Sequence, residues 1–143
     1  MRHQKRGRKL NRTASHRKAL FSNLACSLVV HKKIKTTEPK AKELRSFIDR
    51  LVTYAKKGNL HGRRLIRKNI KGKLSKSIAN ILIHEIAPNF KNRNGGYTRI
   101  IKLNNRKNDN ASVSLIEFVD LAPVISENEE SDDEKKAKIV SKK

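Results

Sequence analysis

Residues 34–57 read IKTTEPKAKELRSFIDRLVTYAKK. The opening Ile34-Lys35-Thr36-Thr37 is short, and its threonines favour a strand. Thr37-Glu38-Pro39 then starts a helix: a cap candidate, an acid for the first turn, and a proline where its missing N–H does no harm. Leu44, Phe47, Ile48, Leu51, Val52 and Ala55 keep helical spacing to about Lys57. Gly58 with Asn59 ends the run. A strand that feeds directly into a long amphipathic helix calls for a sheet packed by helices.

Upstream, Leu20, Leu24 and Leu28, flanked by Phe21, Ala25 and Val29, make one apolar face of a helix at about 14–31, with Thr13 or Ser15 as its cap. His16, Arg17 and Lys18 fall in its first turn, where positive charge opposes the helix dipole. That local cost makes sense if phosphate lies alongside. Downstream, residues 60–71 form a weaker, more basic helical segment. Leu65, Ile66 and Ile70 can reach a core while Arg63, Arg64, Arg67, Lys68 and Lys71 face out. After Gly72, Leu74, Ile78, Ile81, Leu82 and Ile86 define a helix at about 73–87, stopped by Pro88. Residues 89–96, NFKNRNGG, form a loop. Two runs of strand formers, Tyr97–Leu103 and Ser112–Leu121, are joined by polar residues and read as a hairpin. The expected fold is α/β in the α+β sense: a small, roughly three-stranded mixed sheet packed against about four helices. One domain spans 1–122, preceded within it by a basic arm extended over 1–12.

The chain has 143 residues and a formal net charge of +22. The excess is uneven: residues 1–121 hold 30 Lys+Arg against 7 Asp+Glu, whereas 122–143 hold 5 against 6. The first eighteen residues, MRHQKRGRKLNRTASHRK, contain no acid. A segment so charged and so poor in apolar side chains needs a polyanion to order it. A field of this size implies nucleic acid first and an anionic membrane surface second. Residues 123–143, an acidic block followed by lysines, read as a disordered tail that is solubilising, shields the basic body, or carries a protein-partner motif. No apolar run approaches the roughly 20 residues of a membrane span. No apolar signal core follows the charged N-terminus. Its charges recur too densely for the apolar face of a transit peptide, which favours a functional arm.

Chemistry is sparse. His3, His16, His31, His61 and His84 do not pair with one another or with Cys26 at metal-ligand spacing, so no metal or cofactor is expected. Cys26, the single cysteine, falls among apolar residues and reads as a small buried hydrophobe in a reducing compartment. Outside the tail the acids are scattered, with no acid/base or two-metal arrangement, and no enzyme is expected. Gly95-Gly96 either make a tight entry to a strand or let backbone N–H groups approach a phosphate. Phe90 and Tyr97 flank that loop as core residues or as stacking partners for a base. With no recognition-helix or aromatic-sheet motif, phosphate contact and recognition of folded RNA shape fit better than base reading.

Several stretches together carry a resemblance. Met1-Arg2-His3, Leu10-Asn11-Arg12 and His16-Arg17 resemble the start of the bacterial large-subunit ribosomal protein numbered seventeen. The run Ile34 to Leu44, continuing through Asp49, Leu51, Val52, Thr53, Ala55 and Lys56, is similar to that family's central signature. Gly95-Gly96-Tyr97-Thr98-Arg99-Ile100 and Leu115 to Leu121 look like its later landmarks, collinear over residues 1–121. The resemblance implies a compact α/β body with an N-terminal arm, bound to large-subunit ribosomal RNA near the polypeptide exit tunnel beside other ribosomal proteins. It implies a cytoplasmic structural constituent of the ribosome, acting in translation, with no enzymatic activity, no cofactor, no membrane and no small-molecule substrate. The tail lies outside the match.

The candidate RNA contacts are then Arg2, His3, Lys5, Arg6, Arg8, Lys9, Arg12, His16 and Arg17 on the arm and first helix. Lys33, Lys35, Lys40, Lys42, Arg93, Arg99, Arg106 and Lys107 join them from the body, with Gly95 and Gly96 allowing close backbone approach. The alternative function is a nucleoid-type architectural DNA-binding protein, which would need a groove-reading arm, a wedge or a dimer of defined spacing.

Overall fold

The computed structural model describes residues 7–119 and Leu121. Arg2, His3, Lys5 and Arg6 of the arm, and the tail 123–143, lie outside the described residues. The element order is α1 (Ala14–His31), β1 (Lys33–Thr37), α2 (Glu38–Lys56), α3 (Leu60–Asn69), α4 (Ser75–Ile81), β2 (Thr98–Lys102) and β3 (Val113–Phe118). α4 runs on into a π-helical turn, Leu82–Ile86, and a 3-10 turn, Ala87–Phe90.

α2 is the central helix. Ala41, Leu44, Ile48, Leu51, Val52 and Ala55 are all buried along it, as the spacing of residues 34–57 requires. It packs against α1, α3, the π and 3-10 turns and all three strands. Thr37 stands at its N-cap position and Pro39 in its first turn, although the threonine side chain makes no capping hydrogen bond. The α1 and β1 elements meet at Lys32, whose backbone is left-handed (φ 62°) and turns the chain sharply out of the helix.

The sheet order is β1-β3-β2. Both pairings are antiparallel, so the sheet is not mixed as expected. The cause is the helical excursion between β1 and β2. It returns the chain so that β2 points the same way as β1, and the hairpin then places β3 between them. The two like-directed strands never touch, and each ladder closes without a parallel crossover. In register, Lys33 faces Glu117 and Lys35 faces Leu115, while Arg99 faces Glu117 from the other side. Ile116 and Phe118 point inward and are buried, and Ile34 and Ile100 pack beside them.

One sequence expectation needs correction at the end of the helical layer, and one open alternative is decided there. The helix expected to stop at Pro88 leaves α-geometry at Leu82, and Pro88 sits within the 3-10 turn. The buried residues Ile78, Leu82, Ile86 and Phe90 recur every four positions. An α-helix rotates such a series by about 40° per step, so it drifts off its face. The wider π turn takes up that drift. Phe90 and Tyr97, open to stacking on a base in the sequence reading, are core residues at 0% and 2% exposure. Their rings meet edge-to-face with centroids 5.2 Å apart, and Phe90 also lies 6.3 Å from Phe118.

Candidate nucleic-acid interface

The described part of the arm is not extended. Its backbone turns at Leu10 and Asn11, both with positive φ (54° and 49°). One guanidinium nitrogen of Arg17, on the first turn of α1, donates to the carbonyls of Arg12 (3.0 Å) and Lys9 (3.3 Å). Arg12 in turn donates to the ring of His16. The Lys9 carbonyl also accepts the Arg12 backbone N–H (3.2 Å), so Arg17 ties this turn of the arm to α1. The arm then passes along α2: Gly7 lies beside the Glu43 carboxylate, and Arg8 is close enough to help hold the Glu38 carboxyl below its ordinary range. Arg8, Lys9, Arg12 and Arg17, with the His16 ring accepting from Arg12, thus form one basic cluster where the arm joins the body.

The register of the sheet makes a second cluster. Lys33, Lys35 and Arg99 share the outer face around Leu115 and Glu117. Arg99 is paired to Glu117 across the strands. Lys33 and Lys35 are exposed and have no carboxylate within 4 Å among the described residues. On α2, Lys42 is held 2.6 Å from Glu38, and Lys102 approaches the same oxygen at 3.9 Å. The Lys42 hydrogen bond, more than its charge, lowers the Glu38 pKa. Lys40 is half-buried and has no carboxylate within 4 Å among the described residues.

Gly95 and Gly96 have φ of 141° and 59°, with open space where a side chain would stand. A Cβ would be strained by the backbone and not by a neighbour. The loop before them is fastened to α2 by Lys56, whose ammonium donates to the Arg93 carbonyl (2.6 Å) and lies 5.5 Å from the centre of the Tyr97 ring. Arg93 is exposed at this loop. Between β2 and β3, Arg106 makes two bonds to Asp109 (2.8 and 2.6 Å), pushing the Asp109 carboxyl down to about 2. Lys107 beside it is exposed.

Other groups stay chemically quiet. The Cys26 thiol is half-buried, and burial pushes its pKa up. No three metal-ligating side chains converge among the described residues. No helix among them is long and apolar enough to cross a membrane.

Residues 20–119 match the family model described as ribosomal protein L17. The chain is 52% identical over 120 residues to the large ribosomal subunit protein bL17 of Allorhizobium ampelinum (strain S4), covering 84% of this chain and 83% of that protein. This chain belongs to the ribosomal protein L17 family. The match runs from within α1 through β3 and leaves out the arm and the first turns of α1. Membership accounts for the collinear landmarks from Ile34 onward, which fall within the matched residues. This L17-family chain carries a further basic surface. From Arg50 to His84 the sequence has no acidic residue, and α3 presents Arg64, Arg67 and Lys68 to solvent. That acid-free span was visible in the sequence, but it yielded no candidate contact because its residues fall outside the family's landmarks.

Proposed function

We propose that this protein is a structural constituent of the large ribosomal subunit, acting in translation in the cytoplasm by binding and neutralising folded large-subunit ribosomal RNA. The observation that carries this reading is the 52% identity to a large-subunit protein over most of both chains. The geometry supports it: the arm cluster, the exposed lysines of the sheet face and the loops at Gly95-Gly96 and Lys107 present donors to phosphate and build no cleft for chemistry. The protein works without catalysis, and its neighbours are other ribosomal proteins near the exit tunnel. The relative found is a large-subunit ribosomal protein, which favours this reading over the nucleoid-type alternative.

The test is direct. The native chain should sediment with the large ribosomal subunit and leave it only at high salt. Deleting residues 2–12 should leave the helical circular dichroism intact and weaken binding to a folded ribosomal RNA fragment strongly. If the six lysines and arginines of residues 2–12 engage phosphates, they contribute roughly −4 to −5 to the log–log salt slope. A slope near zero, or unchanged binding after the deletion, would sink the arm's role. Preference for duplex DNA of equal charge in competition would favour the nucleoid reading.

A further inference from the structure

A groove of about 930 Å³ opens between the first half of α1, the middle of α2 and the end of α3. Its floor is aromatic: Phe21 and Phe47 stack with centroids 6.2 Å apart and planes inclined by 29°, and both rings are half-buried. Their remaining surface faces the opening, beside Ala14 and Ala19. The buried Ser22 hydroxyl accepts the Lys71 backbone N–H (3.2 Å), which ties the far wall to α1.

The rim is cationic. Arg17, Lys18, Arg50, Lys68 and Lys71 line it, and no carboxylate among the described residues does. Lys18, Lys68 and Lys71 are exposed and have no acid within 4 Å among the described residues. Five mutually repelling charges around an apolar floor are costly in the free protein and favourable against an anion. The volume lies within the range of about 300–1,000 Å³ typical of ligand sites, more than a lone phosphate fills. The chemistry wanted is flat and apolar at one end and anionic at the other.

We propose that this groove receives an unpaired nucleotide of folded RNA, its base against Phe21 and Phe47 and its flanking phosphates between Arg17, Lys68 and Lys71. The site rests on the RNA-binding reading above and adds a place where that RNA must be unstacked. Stacking on a ring tolerates any base, and the rim reads phosphate only, so the groove recognises an unpaired position and not a sequence.

Binding of the intact chain to a folded large-subunit ribosomal RNA fragment, measured across a salt series, tests it. The double variant Lys68→Gln/Lys71→Gln should bind more weakly, with the salt slope reduced by about 1.4–1.8 if each lysine contacts one phosphate. Phe47→Leu should lose roughly tenfold in affinity, within the range for one stacked base, with the salt slope unchanged. Ultraviolet cross-linking should attach a nucleotide to the peptide containing Phe21 or Phe47. Phe47 also packs against α1, so the lysine variant, which changes exposed side chains only, keeps the test decisive if Phe47→Leu unfolds. If the lysine variant binds like the wild type while arm deletion still weakens binding, the groove is overturned and the RNA reading stands. If the wild type binds no RNA, both fall. If polyglutamate binds in a Lys68- and Lys71-dependent way and no nucleotide cross-links, the groove takes an acidic protein segment and the proposal is overturned.

Discussion

Asp49 lies on the buried side of α2, and one of its carboxylate oxygens is shut away from solvent with no hydrogen-bond partner. Burial raises its pKa; the Arg45 charge and the Tyr97 backbone N–H oppose the shift without cancelling it. A raised carboxyl contributes its full stability below its unfolded value and loses it as pH rises through the folded one. Asp49→Asn should therefore raise the melting temperature at pH 7 and not at pH 3, by calorimetry at the two pH values. Asp109 has the opposite sign. Arg106 holds it down to about 2 from an ordinary 3.8, so its contribution is present above 3.8 and lost as pH falls toward 2. Because Asp109 is exposed, the loss should be local: exchange of the Ala111 amide quickens over that interval while core amides stay protected. At this scale the sequence showed which residues are cations but not which are free. Lys42, Arg99 and Arg106 were all legible as candidate contacts. Their pairing with Glu38, Glu117 and Asp109 depends on helix pitch, strand register and turn shape.

Among the elements, α3 is the one whose placement hangs on a single missing side chain. Asn59 caps it, its side chain accepting the Gly62 N–H at 2.7 Å. The sequence reading had assigned Asn59 only to ending α2. Gly62 is buried where α3 crosses α2, and a Cβ there would run into the Tyr54 backbone carbonyl. In an exposed helix, Gly→Ala stabilises by about 1 kcal/mol. Here Gly62→Ala should destabilise by about 1–3 kcal/mol, because α2 must move to make room. Urea unfolding of the two proteins checks the sign. The start of α2 and the span of α1 were legible because they rest on local features, a Thr-Glu-Pro entry and a four-residue apolar spacing. The close crossing at Gly62 and the π turn at Leu82–Ile86 were not, because both answer to packing across elements that no single segment contains. The sheet's three strands were legible for the same local reason, whereas their directions followed from the route of the intervening helices.

For the whole molecule the dominant fact is a net charge of +22 on 143 residues. In free solution the folded body concentrates like charge that the unfolded chain spreads out, so self-repulsion lowers stability. Salt that shortens the Debye length from about 30 Å at 0.01 M to about 8 Å at 0.15 M should raise the melting temperature of the free protein. Thermal melts across that range should show the rise, and a flat response would mean that local ion pairs have already absorbed the repulsion. The order of the sheet also reaches into how the protein comes to exist. Among the described residues, β3 is the last element made and the only partner of both β1 and β2. During synthesis β1 therefore waits, unpaired, until residue 118 has left the ribosome. At ~5–20 residues per second that interval is roughly 4–15 s, during which only the helices can consolidate. A chain halted before Val113 lacks the strand that joins β1 to β2, so closure of the described sheet waits on the synthesis of β3.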